Sequence, residues 1–192
     1  MKAFVPVLHT VLLTTILLGV TACEDRLIPT RTFIIRKGAH FSSTRVSESL
    51  QSDVLEFYAS FDETAIYDLG DQALQSSKNK LLGFSDCNSL HHENSARFAW
   101  QWFNNRLEIY AYCYVNGDRI EQYIGTVGIG EKNKYAIRLM PDHYEFRLND
   151  QDVVKIDRAN TCNTGFYYML WPYFGGAIPA PHDIVIVIQR IY

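Results

Sequence analysis

Three tyrosines at alternate positions, Tyr110, Tyr112 and Tyr114, stand between Glu108 and Asn116, while Leu107, Ile109, Ala111, Cys113 and Val115 occupy the intervening parity. A period of two marks a strand with unlike faces, so the aliphatic set turns to a core and the phenol rings line the opposite face. A row of rings beside a carboxylate and an amide suits sugars, whose C–H faces pack on aromatic rings while their hydroxyls take hydrogen bonds. The preceding run offers Phe98, Trp100 and Trp102 at one parity and Arg97, Ala99 and Gln101 at the other. Which set shares the tyrosine face depends on the turn at Asn104-Asn105, because a slip of one residue exchanges the faces. The candidate ligand-binding residues are Tyr110, Tyr112, Tyr114, Glu108, Trp100 and Trp102. Packing of the same rings beneath a second sheet is the alternative.

Two other stretches carry chemical potential. The first, from Ser85 to Arg97, is dense in polar residues. His91, His92 and Glu93 are metal-ligand types, but neighbours on an extended chain point opposite ways, and no second histidine completes an HExxH helix. Asp86 and Asn88, with backbone carbonyls, are calcium candidates; a hydrogen-bonded loop is the plainer reading. The second stretch runs from Tyr167 to Asp183, with Gly175-Gly176, Pro179 and Pro181 shaping a loop. His182 and Asp183 are the types for a base and its orienter. Neighbours in an extended segment rarely face each other, so structural shaping by proline, with Asp183 bonding the loop backbone, is the plainer reading.

The elements that must position these residues read as strands. Phe33–Ile35, Val54–Phe61, Ala65–Tyr67, Ala96–Phe103, Arg106–Val115, Arg119–Val127, Lys134–Leu139, Tyr144–Leu148, Val153–Ile156 and Ile184–Ile188 are β-branched or aromatic runs. Asn104-Asn105, Asn116-Gly117 and Asn149-Asp150 predict hairpin turns, since these residues tolerate positive φ. The last run is apolar at both parities and predicts a central strand covered on each side. A short helix is expected over Val46–Gln51, with Ser43 or Thr44 as cap. The fold class that follows is all-β, two antiparallel sheets packed face to face as a sandwich.

Lys2, the apolar run Val5–Val20 and the string Val20-Thr21-Ala22-Cys23 resemble the leader and lipobox of bacterial lipoproteins, which are cut before the cysteine and carry a diacylglyceryl group on its thiol. An ordinary signal peptide is the alternative. The expected organisation is a leader over residues 1–22, lipidation at Cys23, a tether to residue 32 and one sandwich domain over 33–192. One of the 18 basic residues and none of the 21 acidic ones precedes Cys23, so the mature domain is mildly acidic and offers no basic stripe for nucleic acid. Glu24-Asp25 resembles the acidic tag that sends some lipoproteins, those of Bacteroidota in particular, to the outer surface. Three cysteines remain, Cys87, Cys113 and Cys162; Cys113 sits in the apolar alternation and reads as a buried thiol, which leaves Cys87 with Cys162 as the favoured pair.

Together the short strands, the aromatic face and the ending Tyr173-Phe174-Gly175-Gly176 … Ala180-Pro181-His182-Asp183-Ile184 resemble the concanavalin A-like jelly roll, the superfamily of lectins, laminin G-like modules, glucanases and alginate-type polysaccharide lyases. Over roughly residues 80 to 190, GFSDCNS, HHENSARF, YVNG, PYFGG and PAPHDI resemble small Bacteroidota lipoproteins without an assigned activity. The glucanase motif of two glutamates around an aspartate is absent. The lyase resemblance implies Arg97, Gln101, Tyr173 and His182 as catalytic residues, although the lyases' QIH strand is missing. The expectation is a non-catalytic, glycan-binding lipoprotein on the outer membrane surface, with no cofactor unless calcium binds. A lyase acting on uronate glycans and an adhesive module binding a cell-surface protein are the alternatives.

Overall fold

A computed structural model describes residues 28–43, 47–159 and 167–191. The leader, Cys23, the acidic pair Glu24-Asp25 and Cys162 lie outside the described residues. In chain order the strands are β1 (Arg31–Ile35), β2 (Ser49–Leu50), β3 (Val54–Phe61), β4 (Asn79–Ser85), β5 (Ser95–Phe103), β6 (Arg106–Val115), β7 (Asp118–Val127), β8 (Asn133–Leu139), β9 (His143–Leu148), β10 (Gln151–Asp157), β11 (Tyr167–Leu170) and β12 (Ile184–Ile191). They form two antiparallel six-stranded sheets, ordered β1-β12-β3-β8-β9-β10 and β2-β11-β4-β5-β6-β7. The sandwich expected from the period-two patterning is what the chain builds.

Turn chemistry sets the register. Asn104 and Asn105 have φ of 49° and 56°, Asn116 and Gly117 of 52° and 88°, and Asn149 and Asp150 of 53° and 58°. Two-residue turns of this hand match the strand twist and pair Phe103 with Arg106, Val115 with Asp118 and Leu148 with Gln151. The first turn answers the question of parity: Arg97 lies opposite Tyr112 and Ala99 opposite Tyr110, whereas Phe98 faces Ala111 and Trp100 faces Ile109.

Inside the sandwich Phe98 packs edge-on against Phe57, Tyr135 and Phe146, with ring centroids 6.0, 5.1 and 5.2 Å away. Trp100 is walled by Phe61, Tyr67 and Phe174. One end of the sandwich is closed by an ion pair at no exposed surface. Arg158 gives two hydrogen bonds to Asp86, of 2.6 and 2.9 Å, and the Tyr144 hydroxyl donates to the same carboxylate at 2.6 Å. This joins the end of β4 in one sheet to β9 and the end of β10 in the other.

Four local expectations differ from the structure. Ser49-Leu50 is a strand paired with Tyr167-Tyr168 rather than helix, because a helix this short is marginal and the edge of a sheet is at hand. A single turn of helix, α1, forms instead at Gln72–Gln75, capped by the Asp71 carboxylate on the Leu74 N–H. Ala65 ends a 3-10 turn and Ala65–Tyr67 is not a strand. The tether gives way to paired backbone before residue 32, since β1 starts at Arg31 and the Ile28 N–H already bonds the Arg190 carbonyl. Strand β12 is central, as expected, but Val185, Val187 and Gln189 are only half-buried, so no second layer among the described residues covers its outer face.

Candidate functional site

The outer face of the second sheet is built by alternate residues of four adjacent strands. It carries Lys80 on β4, Arg97 on β5, Tyr110, Tyr112 and Tyr114 on β6, and Arg119, Glu121 and Tyr123 on β7, where Tyr112 lies opposite Glu121 and Tyr114 opposite Arg119. A depression of about 180 Å³ opens on this face, lined by Lys80, Arg97, Tyr112, Tyr114 and Tyr173, with His91 and His92 on its wall.

Two cations sit at its floor without a carboxylate of their own among the described residues. Arg97 is 7% exposed, donates to the Trp171 carbonyl at 2.9 Å and keeps a buried Nε without a partner. The Lys80 ammonium donates to the Lys78 carbonyl at 2.9 Å and lies 4.8 Å from the centre of the Tyr112 ring. Burial, with Arg97 nearby, brings the Lys80 pKa down to about 8, and burial lowers that of Arg97 to about 10. Both remain cationic at neutral pH. Unpaired buried charge is costly unless something compensates it, so this floor suits an anion.

The local sequence makes room for the lysine. A Cβ on Gly175 would stand 2.3 Å from the Lys80 ammonium and 2.4 Å from the Lys78 carbonyl. The buried Asn79 holds Gly175 there, accepting its N–H at 3.0 Å while donating to the Tyr67 hydroxyl at 2.9 Å. Lys80 and Tyr173 exchange both backbone hydrogen bonds, at 2.8 and 3.0 Å, which fixes the phenol against the lysine. His40 stacks on the far side of Tyr173, with centroids 5.4 Å apart. On β4, Gly83 leaves space for Arg97 of the neighbouring β5, since a Cβ there would lie 2.5 Å from the arginine Cα.

Beside this floor runs a self-satisfied network. Gln101 donates to Glu108 at 2.7 Å and to the Tyr110 hydroxyl at 3.1 Å, and accepts from Lys78 at 3.0 Å. The Tyr110 hydroxyl donates to Glu108 at 2.7 Å, and Arg106 donates to the other carboxylate oxygen at 3.1 Å. Burial works to raise the Glu108 pKa, but these bonds and the nearby Arg106 and Lys78 outweigh it and hold the group below the usual range. Lys78 covers the Tyr110 ring at 4.3 Å.

The sequence-predicted residues therefore divide. Tyr110, Tyr112 and Tyr114 do share one outward face. They are not open platforms: Tyr112 is 4% exposed, and lysine ammonium groups lie over Tyr110 and Tyr112. Trp100 and Trp102 are corrections, for the two-residue turn puts both on the core side; Trp100 is 0% exposed and Trp102 packs against the core. Glu108 is on the face but committed to its partners. Of the residues implied by the lyase resemblance, Arg97 and Tyr173 line the same depression, while Gln101 is held in the network beside it. His182 lies elsewhere, its Nε2 2.8 Å from the Thr64 carbonyl, and Asp183 instead binds Arg36 at 2.6 Å and the Lys37 N–H at 2.8 Å. The calcium candidates are not assembled, because Asp86 spends both oxygens on Arg158, Tyr144 and the Cys87 N–H. Cys87 is disulfide-bonded and Cys113 is a free, buried thiol. Lys78, Lys80 and the histidine wall were missed as members of one site. Their signal was Lys78-Asn79-Lys80 before Leu81-Leu82, basic residues at alternate positions entering an apolar run.

No family model matches the sequence and no curated protein matches it. Solved structures show the same fold. The endo-1,3-β-glucanase (laminarinase) catalytic domain of Thermotoga petrophila superposes with a TM-score of 0.55 at 11% identity, over 84% of this chain and 76% of that one. The laminarinase of a Flavobacterium species gives 0.54 at 12%, over 85% and 78%. The alginate lyase of Klebsiella pneumoniae gives 0.52 at 13%, over 72% and 57%. At such identities the likeness establishes the jelly-roll sandwich fold and nothing about chemistry.

Proposed function

We propose that this protein is a non-catalytic glycan-binding module, anchored at the outer cell surface through a lipid on Cys23, and that its ligands are acidic glycans of the uronate type. The observation that carries this reading is the pair of a half-buried Lys80 and a buried Arg97 on the outer face, without carboxylate partners among the described residues and ringed by Tyr112, Tyr114 and Tyr173. A uronate supplies both complements: its carboxylate meets the cations through charge-assisted hydrogen bonds, and its ring packs against phenols. A neutral sugar would leave the two charges as they are. The solved structures with this fold that act on laminarin or alginate are in keeping with a polysaccharide ligand.

A lyase is the second reading, favoured by the convergence of Arg97, Tyr173 and the wall histidine His91 on one depression. Burial first, then Arg97, lowers the pKa of His91 and so favours the neutral imidazole that a base requires. Against it, burial and a hydrogen bond with Tyr114 push the Tyr112 phenol up, the opposite of an activated base. Incubation with polygalacturonate and with alginate separates the two. Binding without any rise in ultraviolet absorbance from unsaturated product is expected, whereas turnover of either polymer defeats the non-catalytic reading. For the anchor, Cys23→Ser should move the protein from the membrane to the soluble fraction of a Gram-negative host.

A further inference from the structure

A second depression, of about 390 Å³, adjoins the first, and the two share Lys80 and Tyr112. It is roofed by Ser76, Ser77 and Lys78 at the end of α1 and floored by Arg119 and Glu121. Its charges do not cancel. Glu121 accepts from Arg119 at 3.2 Å and lies 4.0 Å from Lys78, so one carboxylate stands against three cations, Lys78, Lys80 and Arg119. Arg97 on β5 and Arg119 on β7 stand on either side of β6, two strand spacings or about 10 Å apart across the sheet. That separation exceeds the reach of a single sugar acid.

Resting on the reading of the groove as an acidic-glycan site, we infer that the Lys78/Arg119 depression is a second anion subsite, and that the groove selects chains bearing acidic groups on neighbouring units over single sugar acids. Lys80, between the two depressions, serves both. Arg119 is 61% exposed at its side chain, so another rotamer would leave the core untouched, whereas Arg97 is buried and bonded to the Trp171 carbonyl.

Calorimetric titration with galacturonate of one, two and four units tests this on the full chain. Wild type should bind the tetramer at least about tenfold more tightly than the monomer, the yield of one charge-assisted hydrogen bond. In Arg119→Gln the ratio of tetramer to monomer affinity should collapse toward one, and Arg119→Lys should restore it. Equal affinity for monomer and tetramer in wild type overturns the second subsite and leaves the acidic-glycan reading standing. Failure of every acidic probe to bind overturns that reading itself, and the subsite with it. An unchanged ratio in Arg119→Gln, with wild type preferring the tetramer, also overturns the assignment.

Discussion

Lys80 is where the chemistry of the groove is most exposed to test. Its folded pKa, brought to about 8 mainly by burial, lies below the ordinary 10.5. Between those values the unfolded chain holds more protons than the folded one, so the contribution of Lys80 to folding stability rises as pH climbs from about 8 to 10.5. Ligand capture runs the other way, because the ammonium that meets a carboxylate is lost above pH 8. Titrations with polygalacturonate from pH 6 to 9 should therefore show affinity falling past pH 8 in wild type, and Lys80→Arg should hold it to higher pH. A flat profile in wild type would remove Lys80 from the contact. Lys80→Met makes the same point through stability: replacing a half-buried cation that has no carboxylate partner among the described residues by an apolar chain should raise the melting temperature at pH 7 while weakening binding. At this scale the sequence showed Arg97, the tyrosine row and Tyr173. It hid Lys80, whose role depends on a glycine nearly a hundred positions away.

Strand β4 shows why part of the scaffold was legible and part was not. Strands β3 and β6 matched their runs to the residue, and the three asparagine-led turns took the left-handed backbone their composition predicts. Strand β4 has no alternation to read: it is buried on nearly every residue and has a register shift between Lys80 and Gly83. Periodicity is silent for such a strand. The parity of Trp100 was also undecidable until the two-residue turn fixed it. Two substitutions test how these elements hold the site. Gly175→Ala forces a Cβ into the Lys80 amine and the Lys78 carbonyl; a loss of about 1–3 kcal/mol is expected, together with weaker glycan binding. Asp86→Asn leaves Arg158 buried without its counter-charge and should cost about 3–5 kcal/mol in chemical denaturation, with affinity per folded molecule kept. Equal stability to wild type in either variant would contradict the packing described.

The described residues form a two-sheet sandwich in which the second sheet turns one face to the core and carries the groove on the other. The core joins aliphatic side chains to large rings, Tyr67, Tyr135 and Tyr144 among them, while Tyr110, Tyr114, Lys80 and Arg119 stand on the outer face of the second sheet. Composition foretold the two layers and the abundance of rings. It did not foretell that the outer rings would be capped by ammonium groups, which shifts the expected ligand from any sugar toward an acidic one. The jelly roll itself is neutral on this point, being shared by glucanases and alginate lyases alike. The decisive measurement is a calorimetric titration of wild type and Arg97→Ala at pH 7 with polygalacturonate and with an uncharged glucan of similar length. Saturable binding of the acidic polymer alone, weakened by rising salt and abolished in Arg97→Ala, is the predicted result; equal binding of both polymers, or an Arg97→Ala variant that binds as wild type does, would contradict it.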